Sequence, residues 1–508
     1  MVESSPRKHF LLLLGIVLSL LGGGFLGCTS SPKGSDPSSM TIESTAPPLP
    51  SSPSIEQEKR SKELPVENME SPQTTTIAAV PQKELETPTP PQEKREKVPT
   101  LRTLGLFDGF VFSVPNPVVR WQADPTGIPV RVELAKERGF TPESIFWAET
   151  SPKDQVRLPD LSEGKEYYLR LGVFQNNTVL TDTILAYTVS YRSFLVPLLP
   201  VLKPGTSATF TMGYNGGLER EKPEHPVVLT RPYALGTYEI TNEEFAYVMN
   251  QLLRGGLLRW ERKNLIGPGG ILLAGSEGLN FGSQFGFIEK DGLLVPVPGR
   301  EKHPVVGVSW YGVLAFCYYL SLMEGLEPSI TFDPSDPRNT IILRLDAEGY
   351  RVPTEAEWEF AARGEKGLLY PGGALSPNRV NFSRSGDPFE GYRTITENGG
   401  PTTPVGYFDG SLRGRYRTAS GVGPFGHFDL LGNVWEWCSD WFDPLYYKNS
   451  PKENPLGPES GSQRVVRGGA WNTLRQDLRF TLRGFFPPEE TSHSIGFRLA
   501  RTLKEEIK

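Results

Sequence analysis

The sequence contains few cysteines and few histidines. Among 508 residues there are 3 Cys and 5 His, and no two cysteines are separated by two residues. Three cysteines cannot build a disulfide scaffold, and zinc sites made of cysteines need closely spaced pairs. These counts exclude a disulfide-stabilised mini-protein and a zinc-finger protein.

The sequence also lacks a basic cluster and is poor in core-forming residues. Its formal net charge is −6, and its Lys and Arg residues form no stripe. We therefore expect no nucleic-acid partner. Hydrophobic residues make up 37%, beside 47 Pro and 53 Gly, which favour turns. At this length we expect two folded units and a tail.

The N-terminal residues look like an export signal. Arg7 and Lys8 precede an apolar run over 10–21, which is short for a membrane span. The run is followed by Phe-Leu-Gly-Cys ending at Cys28, which resembles the bacterial lipobox. That resemblance implies a signal peptide over 1–28, acylation of Cys28 and a lipid anchor in the bacterial cell envelope. Thr29 in place of Asp favours the outer membrane. The alternative is an ordinary secretory signal with an incidental cysteine.

The next segment, 29–99, is rich in Ser, Pro, Thr, Glu and Lys and has almost no aromatic residues. Such a composition cannot bury enough apolar surface to offset the entropy of ordering. We expect a disordered tether that holds the rest of the chain away from the membrane.

Residues 104–192 show short runs of strand-forming residues between turn signals. Trp121 and the pair Tyr167 and Tyr168 resemble those of a fibronectin type III or immunoglobulin-like module. We expect a small all-β sandwich that acts as a spacer or a docking module.

Residues 194–503 are predicted to hold three helices within mostly irregular structure. Thr241 and Thr354 each begin a Thr-x-x-Glu capping box, and Gly364 ends the second of these helices. A third stretch, WYGVLAFCYYLSLMEG, is apolar on nearly all sides, which indicates a buried helix. The segment between the first and third helices is predicted to form hairpins.

Seven motifs occur in order over this region: FTMGYNGG, YALGTYEITNEEFAYVMN, HPVVGVSWYGVLAFCYYLS, YRVPTEAEWEFAARG, LLGNVWEWCSDWF, RVVRGGAW and SIGFRLAR. Together they resemble the formylglycine-generating-enzyme, or sulfatase-modifying-factor, family. The resemblance implies an α+β domain of the irregular C-type-lectin-like variant fold, preceded here by the sandwich.

The groups that carry the chemistry of this family are missing. Its active members bind copper(I) through two cysteines that follow the Arg-Gly-Gly motif, and thiolates are the ligands that Cu(I) prefers. Residues 470–478 contain no cysteine, and Ala470 stands where those members have a serine. Their Asp-Ser-Ser is matched by 489–491, which read Glu-Glu-Thr. We expect no copper and no formylglycine formation.

The resemblance also implies structural calcium. Carboxylates and backbone carbonyls in a tight turn are ligands that Ca²⁺ prefers. One predicted site uses the side chains of Asp429 and Glu436 with the carbonyls of Gly432 and Val434. A second uses Asn381 and the carbonyl of Phe382, with partners near 397 and 398. The alternative is that the two carboxylates only cap turns.

The same resemblance bears on two other features, a disulfide and an iron site. In some family members a cysteine at the Cys317 position pairs with one at the position of Phe480, so that disulfide is absent here. A bond between Cys317 and Cys438 stays open beside two buried, inert thiols. Iron-dependent relatives need a histidine-rich motif, and no two histidines here share a predicted helix at ligand spacing, so we expect no iron site.

Three functions remain open. The first is a lipid-anchored protein that binds a protein or glycan, because retroelement-diversified bacterial proteins of this fold use the same C-terminal stretch for ligands. Its candidate binding residues are Trp471, Asn472, Thr473, Arg475, Gln476, Asp477 and Arg483. The second is a modifying enzyme of exported proteins with a different mechanism, which would use Arg483, Glu489, Glu490 and His493. The third is a structural accessory protein of the envelope.

Overall fold

The computed structural model describes residues 99–176, 178–180, 183–275, 286–331, 341–389 and 402–504. The predicted signal peptide, Cys28 and nearly all of the predicted tether lie outside these ranges. No helix among the described residues is both long and apolar enough to cross a membrane.

The first part of the described chain forms two sheets. The strands are β1 (Thr100–Thr103), β2 (Phe110–Phe112), β3 (Val118–Asp124), β4 (Val130–Ala135), β5 (Ile145–Ser151), β6 (Gln155–Arg157), β7 (Glu166–Gln175), β8 (Thr178–Val179) and β9 (Leu185–Tyr191). One sheet has the strand order β1-β3-β6 and the other β2-β9-β7-β4-β5, with β8 paired to β7. Alternate residues of these strands point inward, and Trp121 lies buried among them. The short strands expected over 104–192 are present, while the immunoglobulin or fibronectin assignment stays a prediction.

The rest of the described chain has three helices among short strands. The helices are α1 (Asn242–Arg254), α2 (Trp310–Met323) and α3 (Glu355–Arg363). The three predicted helices are thus confirmed. Thr241 and Thr354 form the expected capping boxes, in which each threonine side chain accepts from the backbone N–H three residues later. Gly364 follows α3 with φ +60, which favours glycine.

The strands around these helices form two four-stranded sheets and several hairpins. The strands are β10 (Leu198–Leu202), β11 (Ala208–Met212), β12 (His225–Leu229), β13 (Tyr233–Gly236), β14 (Arg259–Glu261), β15 (Asn264–Ile266), β16 (Leu272–Gly275), β17 (Phe287–Lys290), β18 (Leu293–Pro296), β19 (Ile330–Thr331), β20 (Ile342–Leu343), β21 (Tyr350–Arg351), β22 (Leu412–Arg413), β23 (Tyr416–Arg417), β24 (Trp435–Trp441), β25 (Arg464–Arg467), β26 (Arg483–Phe486), β27 (Ile495–Gly496) and β28 (Ala500–Thr502). The two four-stranded sheets have the orders β10-β13-β28-β21 and β26-β25-β24-β27, so both combine strands that are distant in sequence. The hairpins expected between α1 and α2 are present as β14-β15-β16 and β17-β18.

Two hydrophobic cores hold these elements. One surrounds α2 and continues into the first two sheets, since it contains both Trp121 and Phe316. The other lies under α3 and contains Trp358, Leu478 and Phe480. The second core supports the segment between β25 and β26, which carries the predicted binding residues.

Candidate functional site

The segment between β25 and β26 is a loop that starts with two glycines. Gly468 and Gly469 have φ of +95 and +73, which favour glycine. A Cβ atom on Gly469 would lie 2.5 Å from Cδ1 of Leu478. The glycines therefore let the chain turn back over a buried leucine, and this closes a compact loop over residues 470–478.

Polar side chains cover the outer face of this loop. Asn472, Leu474, Arg475 and Gln476 are exposed, and Leu474 retains 47% of its accessible surface. Trp471, Thr473 and Asp477 are partly exposed, whereas Ala470 and Leu478 are buried. Six of the seven predicted binding residues thus lie together on one exposed segment, which we call the 471–477 loop.

Hydrogen bonds hold the 471–477 loop in place. The backbone N–H of Trp471 donates to the carbonyl of Asn433 at 2.8 Å, and its indole Nε1 donates to the carbonyl of His493 at 3.4 Å. The hydroxyl of Thr473 accepts from the N–H of Ala470 at 2.9 Å, and its carbonyl accepts from Ser383 at 3.1 Å. The loop is fixed on both sides, so its exposed side chains project from a defined backbone.

The seventh predicted residue, Arg483, is not part of this surface. Its side chain is fully buried, and its guanidinium donates to both carboxylate oxygens of Glu355 at 2.6 and 2.9 Å. A buried arginine in a two-point ion pair cannot reach a ligand outside the protein. Arg483 lies next to the loop in sequence, but its burial gives it a supporting position.

Arg483 belongs to a buried ion network beneath the loop. Arg467 bridges Glu355 and Glu359, with Nη1–Oε1 and Nη2–Oε2 distances of 2.7 Å each. Burial opposes ionisation of Glu355, but Arg483 and Arg467 hold its pKa below the ordinary value. Arg363 also pairs with Glu359 from the end of α3. The strands on either side of the loop are therefore both fastened to one helix.

A second ion pair fastens the end of the loop from the other side. The Nε of Arg479 donates to Oε2 of Glu221 at 2.8 Å, and the hydroxyl of Thr481 donates to the same oxygen at 2.8 Å. Sequence reasoning missed Glu221, Glu355 and Glu359. Of these, only Glu355 and Glu359 could have been found from the sequence, because carboxylates four residues apart lie on one face of a helix.

The loop carries no thiol, and the two cysteines in the described ranges lie elsewhere. Cys317 lies in α2 and Cys438 in β24, and both are buried and free. The open question of a bond between them is thus answered in the structure, where no disulfide joins them. Burial raises the pKa of both thiols. A thiol that stays protonated in an apolar interior is a poor nucleophile and a poor metal ligand.

The other proposed catalytic groups do not form a reactive set with Arg483. Glu489 is exposed, while Glu490 and His493 are partly exposed, and Arg483 is buried against Glu355. The ring of His493 lies 5.4 Å from that of Trp471, and its burial lowers the pKa of the imidazole.

A cluster of three carboxylates lies behind the loop. Glu239, Asp429 and Glu436 are buried near one another, with Arg498 as their cation. Arg498 donates to both oxygens of Glu436 at 2.5 and 2.6 Å. Burial, together with the charge of Glu436, raises the pKa of Asp429 to about 6. Burial also raises the pKa of Glu239, so three buried carboxyl groups share one guanidinium.

The backbone of the predicted calcium turn is tightly folded. Asp429 and Gly432 have φ of +57 and +79, and a Cβ atom on Gly432 would lie 2.1 Å from the carbonyl oxygen of Asn381. The carboxylate of Asp429 accepts from the N–H of Gly406 at 2.5 Å. In the described ranges no three His, Cys, Asp or Glu side chains are arranged to hold a metal. A cation here would therefore need backbone carbonyls such as those of Gly432 and Val434 among its ligands.

The second predicted calcium site is only partly described. The carbonyl of Asn381 accepts from the N–H of Asn433 at 3.0 Å, and that of Phe382 accepts from Ser385 at 3.0 Å. The partners predicted near 397 and 398 lie outside the described residues.

Comparison with known proteins identifies the family to which this chain is similar. The family model of the sulfatase-modifying factor enzyme 1-like domain matches residues 199–503. The chain is 30% identical over 299 residues to the formylglycine-generating enzyme of Streptomyces coelicolor, covering 55% of this chain and 81% of that one. It is 31% identical over 312 residues to the serine/threonine-protein kinase Pkn1 of Chlamydia trachomatis, covering 61% of this chain but only 39% of that one. The solved structure of Treponema denticola variable protein 1 is 24% identical, with a TM-score of 0.40, over 61% of this chain and 96% of that one. This chain belongs to the sulfatase-modifying factor, or formylglycine-generating-enzyme, family.

Proposed function

We propose that this protein binds a protein or glycan ligand through the 471–477 loop and does not oxidise cysteine with copper. The observation that carries the proposal is the loop itself, a set of exposed polar side chains and one indole on a backbone held by buried ion pairs. A surface that is ordered before binding loses less entropy when the ligand arrives.

The composition of the loop supports recognition of a partner surface. Trp471 offers a partly exposed indole, and Trp and Arg are enriched among residues that dominate binding energy at interfaces. Arg475 and Asp477 offer charges of both signs, and Asn472 and Gln476 offer amide donors and acceptors. Residues 470–478 contain no cysteine, which supports loss of the copper-dependent reaction.

A capture experiment tests this proposal. Full-length protein in mild detergent is immobilised and exposed to an envelope extract and to a glycan array. It is compared with a variant carrying Trp471→Ala, Arg475→Ala and Asp477→Ala. A matched control carries Trp147→Ala, Arg138→Ala and Asp160→Ala, which change the same residue types in β5 and in two loops of the first part of the described chain.

The proposal expects a saturable ligand that binds the native protein and the matched control but not the loop variant. Both variants must melt at the native temperature. Equal binding by all three proteins would move the site away from the loop. Copper-dependent oxidation of a cysteine peptide by the native protein would overturn the non-enzymatic part.

We further propose that the chain is anchored in the bacterial envelope, with the outer membrane as the favoured site, through acylation of Cys28. The lipobox-like sequence supports this, and two or more acyl chains give stable anchoring. Residues 104–192 would then act as an immunoglobulin-like spacer above the tether. Metabolic labelling with a clickable fatty acid should mark the native protein but not Cys28→Ala, and equal labelling of both would contradict the anchor.

We also propose a structural calcium ion at the turn that contains Asp429, Gly432, Val434 and Glu436. The excess of buried carboxylates over cations supports it, because a divalent ion would offset that charge. Calcium should raise the melting temperature of the native protein and have little effect on Asp429→Ala. An equal melting temperature with calcium and with a chelator would contradict the site.

A further inference from the structure

Arg464 lies between two tryptophan rings. Its guanidinium carbon is 3.8 Å from the ring centroid of Trp310 and 3.4 Å from that of Trp441. Trp310 begins α2, and Trp441 ends β24 directly opposite Arg464 in the antiparallel pairing with β25. Cation–π contact on both faces fixes the plane of the guanidinium, so its N–H groups point in set directions.

Among the residues that the structure describes, this cation forms no salt bridge with a carboxylate. Within the described part of the chain no Asp or Glu oxygen lies within 4.0 Å of the Arg464 guanidinium. The group makes one hydrogen bond there, from Nη1 to the carbonyl of Ser439 at 2.6 Å, and Nε is buried without an acceptor. The fully buried arginines behave differently, since each binds a carboxylate: Arg351, Arg467, Arg483 and Arg498.

Arg464 is partly buried, and a charged group that is partly removed from water without an anion carries a desolvation cost. Burial lowers the pKa of Arg464 to about 9, although the charge of Asp440 opposes that shift. An anion that bound the free N–H groups would recover part of the desolvation cost of the guanidinium.

A cavity of about 210 Å³ opens beside the guanidinium. Its polar lining residues include Arg464, Ser439 and the exposed Glu459, and its apolar lining residues include Leu314, Ile330, Leu343 and Val352. At the ~30 Å³ that a water molecule occupies in the liquid, the cavity has room for about seven waters. That size suits a small organic molecule with one charged end.

We propose that this cavity, the Arg464 pocket, binds the carboxylate of a small apolar acid. The carboxylate would accept from Nη2 of Arg464, and the apolar body would pack against Leu314, Ile330 and Leu343. A single guanidinium matches one negative charge, so a monoanion suits the pocket better than a dianion such as phosphate. The site is independent of the 471–477 loop, so neither proposal depends on the other.

The test uses full-length protein, hexanoate as the probe and hexanamide as its uncharged match. Isothermal titration calorimetry should show binding of hexanoate that is at least about tenfold tighter than binding of hexanamide, because a charged hydrogen-bond pair is lost in the amide. N-acetyl-leucine and N-acetyl-alanyl-leucine, each with a free carboxylate, then distinguish a small acid from the C-terminus of a peptide. Tighter binding of the peptide acid would make a protein C-terminus the source.

Variants locate the binding. Arg464→Met should weaken hexanoate at least about tenfold and leave hexanamide unchanged. Leu314→Phe keeps the cation but fills the cavity, so it should weaken both probes. Equal affinity for hexanoate and hexanamide would overturn the proposal, as would native-like hexanoate binding by either variant. Absence of hexanoate binding at millimolar concentration would also overturn the proposal. That measurement uses the native protein alone, so it does not depend on the folding of a variant.

Discussion

Arg483 and Glu355 form a two-point ion pair in the protein interior, with Nε–Oε1 and Nη2–Oε2 distances of 2.6 and 2.9 Å. Arg467 donates to the same carboxylate at 2.7 Å. These two arginines lie on β26 and β25, on either side of the 471–477 loop, so one glutamate of α3 joins both ends of the loop. The position of the exposed surface therefore depends on a residue in the protein interior.

Removal of this buried carboxylate should strongly destabilise the protein. Glu355→Gln leaves the guanidinium of Arg483 in the interior without its anion and removes one of the two carboxylates that bind Arg467. Breaking a buried pair costs about 3–5 kcal/mol. Urea denaturation measures the free energy of unfolding. The control is Asp409→Asn, which breaks an exposed pair with Arg413 and should cost less than about 1 kcal/mol. Similar losses in the two variants would contradict the supporting role of Glu355.

Gly432 should be intolerant of even a single added carbon. Gly432→Ala places a Cβ atom 2.1 Å from the carbonyl oxygen of Asn381 at a φ of +79. The control is Gly414→Ala, which has a φ of +60 but no atom within 4 Å of the new Cβ. Both substitutions destabilise the protein because alanine disfavours a left-handed backbone. Gly432→Ala should lower the free energy of unfolding by about 1–3 kcal/mol more than Gly414→Ala, because it also overpacks the turn. Equal unfolding free energies would show that the turn can move away from Asn381.

Asp440 should contribute a pH dependence of the opposite sign to that of an ordinary ion-paired carboxylate. Its carboxylate accepts from the N–H of Glu355 at 2.8 Å, and burial with the charge of Glu355 raises its pKa from 3.8 to about 7. The folded state therefore binds one more proton than the unfolded state between pH about 4 and about 7. In that window this group lowers the unfolding free energy as pH rises, by up to about 1.4 kcal/mol per pH unit.

Asp440→Asn keeps the acceptor oxygen and removes the titration. Unfolding free energies of the native protein and the variant should therefore be measured across this pH window. The advantage of the native protein over the variant should shrink as pH rises. Parallel profiles would mean that the carboxylate of Asp440 is already ionised in the folded protein.

The sequence predicted what depends on neighbouring residues. Thr241 and Thr354 begin helices because their capping partners lie three residues away, and α2 is buried because its own residues are apolar on all sides. The exposed loop was also predicted, since its polar residues are consecutive. The support beneath it was not, because the partners Glu355 and Arg483 are 128 residues apart and Glu221 and Arg479 are 258 apart. Contacts between residues so far apart leave no local pattern in the sequence. Neither these ion pairs nor the burial of Arg483 could therefore be predicted from the sequence.

Site-specific crosslinking is the most direct test of the central claim, that the 471–477 loop meets the ligand. A photoreactive amino acid is placed at the exposed Asn472 of the full-length protein in its own cells, and at the exposed Arg138 as the control. We predict a discrete crosslinked product from position 472, none from position 138, and loss of the product when Trp471→Ala and Arg475→Ala are added. A product from position 138 alone, or no product from 472 in cells where the protein is folded and abundant, would contradict the account.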